Sequence, residues 1–336
     1  MKRLTEAPLH GPISRGRWLP CFENLSCLEH CLDVNLQTGM LRPIICSAGS
    51  SRGVVDHIDE FESIFRRSER ELFQYADIPM EAVTFVSDGD ADRAAAGIAM
   101  ARKFLPRLNV KNWRSITGDQ YRTVAELRDV LDQQQTDLII THRHLQEESF
   151  VPQHSLGVYL DVLTQTTSIP VLVLPGSASE PASVGERICD RVMVVADHIS
   201  GDNRLINYGV RMCREGGTIW LCHVEDDVVF SRYMRAISRI PEIDSDDARV
   251  LIEKQLLSDA QEFIDGCIDV IQTEGPNLTV NGYVGRGHHL RDYCRLIEEH
   301  DVDLLVLNTK DDDQLAMHGR AYSLSVELTH VSMLLL

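Results

Sequence analysis

Thr136-Asp137-Leu138-Ile139-Ile140-Thr141 and Val302-Asp303-Leu304-Leu305-Val306-Leu307 read as two versions of one strand. Each leads to a second matched string, Ser155-Leu156-Gly157-Val158-Tyr159-Leu160 and Ser323-Leu324-Ser325-Val326-Glu327-Leu328. The separation is 166 residues from Asp137 to Asp303 and 168 from Ser155 to Ser323, close to half of the 336-residue chain. Solenoid repeats recur every ~20–50 residues. A period this long is that of a whole domain, so the chain reads as a tandem duplication in which each half checks the other.

The second copy is the clearer one. Arg191-Val192-Met193-Val194-Val195-Ala196-Asp197 is a β-branched apolar run ending in a polar turn, the pattern of a strand buried on both faces. A helix carrying Leu205, Tyr208, Gly209 and Met212 follows, and Gly216-Gly217 stops it. Thr218–Val224 is the next strand, and the spacing of Leu256, Ala260, Phe263, Ile264 and Cys267 predicts a long helix from about Ala248 to Thr273. Leu278–Val284 is a third strand, Gly285-Arg286-Gly287 a turn, and Leu290, Cys294 and Ile297 the inner face of another helix. Asp303–Leu307, a short helix over Ser323–Thr329 and a last strand over Ser332–Leu336 complete the copy. Alternating strands and helices imply a parallel sheet covered on both faces.

In the first copy Ile169–Leu174 is the last strand, Thr136–Thr141 the fourth and Trp113–Thr117 the third. Ala82–Ser87 is then the second strand, with Pro43-Ile44-Ile45-Cys46 as the first and Ile58–Tyr75 as its helix. The alternative makes Ala82–Ser87 the first strand and leaves the sheet one strand short. Residues 1–40 belong to neither copy, the first domain spans 41–176, a Pro-, Gly- and Ser-rich linker 177–187, and the second domain 188–336.

Hydrophobic residues make up 43% of the chain and charged residues 25%, enough for two buried cores in a soluble protein. The net charge of −18 argues against nucleic acid, whose phosphates need a basic surface. No apolar run approaches the roughly 18 residues of a membrane span. The nine scattered cysteines read as reduced thiols, which makes a cytoplasmic location the expectation.

The doubled order of these elements resembles the universal stress protein family in its tandem form, over roughly 42–176 and 188–336. The resemblance rests on a first strand ending in Asp (Asp197), a third strand running into small residues (Val284-Gly285-Arg286-Gly287 and Ile116-Thr117-Gly118), and the Asp-Leu-Leu-Val strand followed by a Ser-led helix. It implies two five-stranded, doubly wound parallel sheets of the adenine-nucleotide alpha-hydrolase-like kind. Nucleotide-binding members hold ATP at the carboxyl ends of the strands, with a Gly-rich loop that lets backbone N–H groups reach the phosphates. Carried over residue by residue, the site would use Asp197 and Val284 at base or ribose and Gly319 and Ser323 at phosphate, with Gly285, Gly287 and Asn308 around them. The last strands of two domains pair in that family, so Ile169–Leu174 and Val331–Leu336 would pair within one chain as a pseudo-dimer, with a homodimer also possible.

The chain departs from the Gly-rich signature in both copies. Asn308 to Gly319 holds one glycine and the run Asp311-Asp312-Asp313, and Tyr322-Ser323 and His154-Ser155 replace the final Gly-Ser. The first copy ends its assigned first strand in Ser47-Ala48-Gly49, without the Asp. Several residues carry two readings. Ser155 and Ser323 are either phosphate ligands or helix N-caps, the role Ser takes most readily. The aspartate run would suit Mg²⁺, but such runs are usually just solvated, and no Mg²⁺ is expected. His142, His144 and His154, like His288, His289 and His318, cluster without metal-ligand spacing. Arg143 and His144, or Arg286 and His288, offer charge to an anion in place of the missing glycines. Cys21, Cys27 and Cys31 fit a buried apolar face beside Leu25, Leu28 and Leu32. No catalytic motif is present. The functional expectation is a regulatory protein binding ATP, another nucleotide or a small anion, mainly in the second copy. The alternative is a scaffold that binds no nucleotide and acts on a protein partner.

Overall fold

The computed structural model describes residues 72–147, 155–177, 180–181, 187–196, 203–309 and 319–336. The strand assigned to Pro43–Cys46, the extension 1–40 and most of the helix assigned to Ile58–Tyr75 lie outside these residues. Leu72–Tyr75, within that assigned helix, is not helical.

The first half contains β1 (Ala82–Val86), α1 (Ala91–Phe104), β2 (Asn112–Ile116), α2 (Val124–Gln134), β3 (Leu138–Arg143), α3 (Val158–Thr166) and β4 (Val171–Ser177). A two-residue strand, β5 (Glu180–Pro181), folds back on β4. The second half contains β6 (Arg191–Val195), α4 (Asn203–Met212), β7 (Thr218–Asp226), α5 (Asp227–Ile237), α6 (Ser245–Glu274), β8 (Thr279–Gly287), α7 (His289–Glu299), β9 (Leu304–Leu307), α8 (Gly319–Glu327) and β10 (Ser332–Leu335). Local chemistry sets several boundaries. Asp90, Thr123, Asp226 and Asp244 each accept a backbone N–H in the first turn of the helix they precede, satisfying donors a helix leaves unpaired. Among the described residues no helix is long and apolar enough to cross a membrane.

All strands belong to one sheet of order β2-β1-β3-β4-β10-β9-β6-β7-β8. Every neighbouring pair along this path is parallel except β4 with β10. The doubly wound α/β class expected from the sequence is therefore present. One assignment is corrected. Ala82–Val86 pairs directly with Leu138–Ile140, the strand that precedes α3, just as β6 pairs with β9. It therefore holds the first-strand position, not the second, and Asn112–Ile116 holds the second. Among the described residues the first half lacks a counterpart of β8, which is the arrangement set aside in favour of Pro43–Cys46.

The repeated aspartates explain the match between halves. Asp303 Oδ2 accepts the backbone N–H groups of Asp190 (3.3 Å) and Arg191 (3.0 Å), where β6 begins. Asp137 Oδ2 accepts those of Glu81 (2.8 Å) and Ala82 (2.9 Å), where β1 begins. Each carboxylate ties the start of one strand to the start of its neighbour. The shared motif is a structural clasp.

Period-2 alternation divides the sheet's side chains between two cores, one on each face. Leu172, Leu174 and Leu334 join one core with Phe85, Phe104, Val192, Ile264 and Cys267. Val171, Val173, Met333 and Leu335 join the other with Tyr121, Leu127, Met193 and Tyr293. Both cores run across the junction of the halves. Arg143 also bridges that junction, its Nη2 donating to Leu328 O (2.9 Å) just past the carboxyl end of α8. Burial pushes its pKa down to about 10, so the group still carries charge at neutral pH.

Replacing either clasp leaves two backbone donors without their acceptor, one beside a wholly buried strand. Asp137→Ala should cost about 1–3 kcal/mol of stability. Asp303→Ala should cost the same for its two donors plus about 0–1 kcal/mol for the lost contact with Arg191 Nη2 at 3.3 Å, since partly exposed Arg191 keeps Asp301 at 2.9 Å. Urea denaturation of both variants reads the difference; equal stability to the wild type in either would show that the carboxylate does no such work.

Candidate functional site

In an open α/β sheet, ligands bind outside the carboxyl ends of the strands where strand order reverses. This sheet has two such points. One lies between β1 and β3, where Ser87-Asp88 and His142-Arg143-His144 leave the sheet; the other lies between β6 and β9, where Ala196 and Asn308-Thr309 do.

At the first point the revised strand position restores a residue thought absent. Ala82 and Arg191 open corresponding strands, and their spacing of 109 carries Asp88 onto Asp197. Asp88 Oδ1 is buried without a hydrogen-bond partner, as is Nδ1 of nearby His142. Tyr121 closes the cluster, donating its hydroxyl to Ser87 O (3.2 Å), and Gln146 donates to Gly118 O (2.8 Å). Burial, reinforced by Asp88, drives the Tyr121 phenol well above its ordinary range.

The amino end of α3, where a phosphate would lie by the resemblance, already holds a carboxylate. Glu147 Oε1 accepts the Val158 N–H at 2.5 Å, and Oε2 meets His144 Nδ1 at 3.0 Å. A carboxylate there complements the helix dipole as a phosphate would. Ser155 does not cap this helix: the N-cap position is Gly157, at φ +91°, where an added Cβ would lie 2.9 Å from His144 Cα. Ser323 does not cap either, since it stands one turn inside α8. Both cap readings are thus corrected.

The residues assigned to the second site are distributed as follows. Asp197 lies outside the described residues, directly after Ala196. Asn308 follows β9 and Gly319 opens α8. Val284, Gly285 and Gly287 stand opposite His223, Val224 and Asp226 on the edge strand. That places them three strands from β9, about 14 Å at ordinary strand spacing. The structure therefore groups Asn308 with the end of β6 and leaves the β8 glycines at the sheet's far side. Gly285-Arg286-Gly287 continue the strand instead of turning, because β7 runs nine residues and supplies partners through Asp226.

Arg286 is committed elsewhere. Its Nε meets Asp227 Oδ1 at 2.7 Å, its Nη1 meets Glu253 Oε2 at 2.8 Å, and its plane lies 4.7 Å from the Phe230 ring centroid. The role of anion ligand proposed for it is replaced by a structural one, and Arg143 is likewise held in the junction. Beside β8, His289 of the group noted in the sequence lies near a residue that was not: buried His223 has Nδ1 3.1 Å from Ala196 O and Nε2 3.4 Å from Glu225, and His289 has Nε2 2.6 Å from Val224 O and Nδ1 3.3 Å from Asp226. The signal for His223 was an apolar strand ending in His223-Val224-Glu225-Asp226-Asp227. His154, His318 and Asp311–Asp313 lie outside the described residues, and among those described no three His, Cys, Asp or Glu side chains converge as a metal requires. Burial pushes the thiols of Cys213, Cys222 and Cys267 up to about 12, which makes them poor nucleophiles.

No family model matches the sequence, and no curated protein matches it. Among solved structures, a universal stress protein from Archaeoglobus fulgidus DSM 4304 is 13% identical, with a TM-score of 0.42 over 76% of this chain and 85% of its own. A putative universal stress protein from Pseudomonas aeruginosa UCBPP-PA14 is 12% identical, with a TM-score of 0.41 over 76% of this chain and 93% of its own. A protein of unknown function from Pseudomonas aeruginosa PAO1 is 11% identical, with a TM-score of 0.39 over 76% and 92%. The chain is similar to universal stress proteins in fold. The likeness extends no further than that.

Burial holds His142 neutral, lowering its pKa against the opposing influence of Asp88 and a backbone bond to Pro175. The unfolded chain protonates this imidazole below about pH 6.5 while the folded chain resists. Stability is therefore full above that pH and is lost as pH falls through it. The stability gap between pH 7.5 and 5.5, read by urea denaturation, should shrink in His142→Leu; an unchanged gap would remove His142 from the account.

Proposed function

We propose that this chain is a universal-stress-protein-like regulatory protein that binds one nucleotide, or another small polyanion, in its second half. The observation that carries the reading is the carboxylate at the first strand-order reversal, set beside the strand order at the second. At the first, Glu147 occupies the helix end that would receive phosphate. At the second, a complete five-strand order, β10-β9-β6-β7-β8, puts the end of β6 next to the end of β9. Asp197, Asn308, Gly319 and Ser323 belong to that second crevice, with Asp197 toward base or ribose and the start of α8 toward phosphate. Val284, Gly285 and Gly287 then act from a distance, shaping the far wall through β8. A cytoplasmic location fits the buried, reduced cysteines.

The test is mass spectrometry of small molecules released from freshly purified, denatured protein, followed by titration calorimetry with Mg²⁺-ATP. The expected result is at most one nucleotide per chain, lost in Asp197→Ala and retained in Asp88→Ala. Two equivalents, or loss in Asp88→Ala, would move the site to the first half. Protein that is empty and unresponsive to Mg²⁺-ATP would favour the second reading, a scaffold without nucleotide. That reading draws support from the same Glu147 contact and from the diversion of Arg286 into a structural ion pair.

A further inference from the structure

The segment between β7 and β8 has no counterpart among the described residues of the first half, where β2 passes through α2 directly to β3. It also concentrates exposed apolar side chains. Among the described residues, six of the eleven large exposed hydrophobic side chains lie within 228–251: Val228, Tyr233, Ile240, Ile243, Val250 and Leu251. On α5 the buried face is Phe230 and Met234, which hold the helix to the sheet. The rest of the helix carries two rows at helical spacing. The one that flanks the buried face is apolar: half-buried Val229, then exposed Tyr233 and Ala236, with exposed Ile240 following in the turns past the helix end. The adjoining row is basic: Arg232, Arg235 and Arg239, all exposed.

Tyr233 and Ile240 are 40% and 43% exposed, and they sit beside three cations on a chain whose net charge is −18. The side chains of Arg235 and Arg239 have no ion pair or hydrogen bond among the described residues. Several other arginines of this half are paired, Arg286 with Asp227 and Glu253, Arg214 with Asp190 and Arg295 with Glu299, while Arg249 lies over the Phe230 ring. We propose that the outer face of α5 is a docking surface for an acidic amphipathic helix of a partner protein. Apolar residues of the partner at i, i+3/i+4 and i+7 would cover Val229, Tyr233, Ala236 and Ile240, and carboxylates along one flank would meet Arg232, Arg235 and Arg239. Charge decides between this occupant and a second copy of the chain. An antiparallel twofold self-contact would lay the arginine row beside its own copy. The inference goes beyond nucleotide binding, since it concerns a different surface with a different ligand.

The probe is a synthetic helical peptide with leucines at i, i+3, i+4 and i+7 and glutamates along one flank, read by fluorescence anisotropy against the full chain. A second peptide replaces each glutamate with glutamine. The wild type should bind the glutamate peptide about tenfold more tightly than the glutamine peptide or better. Arg235→Glu with Arg239→Glu should erase that preference, and Tyr233→Ser with Ile240→Ser should weaken both peptides. Unchanged circular dichroism and melting temperature in both variants show that they fold. Equal affinity for the two peptides, no binding of either, or indifference to both variants would overturn the proposal. So would a concentration-dependent dimer in sedimentation velocity that the arginine variant dissolves, which would assign the surface to a second copy.

Discussion

The antiparallel contact between β4 and β10 is the constraint on which the rest of the molecule depends. Val171 faces Leu335, Leu172 faces Leu334 and Val173 faces Met333 across it. Without that contact each half would end in an open strand, a row of unpaired backbone groups ready to pair with other chains. With it, two parallel sheets become one. Because side chains alternate between faces, the same few residues also close both cores: Leu172 and Leu334 on one side, Val171, Val173, Met333 and Leu335 on the other. Each such buried side chain contributes on the order of 1.5–3 kcal/mol. The two halves are thus coupled through side chains as well as through backbone bonds, and Arg143 adds a charged contact at the same junction.

The match between the two halves was legible because its marker residue performs the same task twice. A clasp between strand starts demands a carboxylate at one position relative to the strand, and Asp137 and Asp303 both stand there. Strand order was less legible. A fully buried run such as Ala82-Val83-Thr84-Phe85-Val86 carries no local record of which neighbours it has, since a central parallel strand reads the same in first or second place. Only the pairing with Leu138–Ile140 settles it, and that pairing spans more than fifty residues.

The site was less readable than the fold, for reasons that differ by residue. Glycine permits a turn without requiring one, and Gly285 and Gly287 stay extended because β7 offers partners to the end. Serine is a good helix cap, yet at α3 it is displaced by Glu147, whose charge interacts more favourably with the helix end than a hydroxyl does. Asp88 went unread as a strand-end aspartate only because its strand was given the wrong place. His223 and His289 share no sequence motif; His289 opens the helix after β8 and reaches back to Val224 O and Asp226 of β7, the strand that carries His223.

Halves that share one sheet need not share one task, and these two differ physically. In the first half the Glu147 carboxylate accepts the Val158 N–H at the amino end of α3, so the helix end is completed from within the chain. In the second, the chain inserts α5 and α6 before its edge strand, and anchors them through Phe230, Met234, Ala260, Ile264, Cys267 and Ile271. Those residues account for the insertion's inner face and leave its outer face without an internal role. An apolar row beside exposed arginines adds nothing to a sheet already closed on both sides. Its chemistry is intelligible as recognition. The surface is tied to the sheet through β7, which runs beside β6 and leads directly into α5 at Asp226–Asp227.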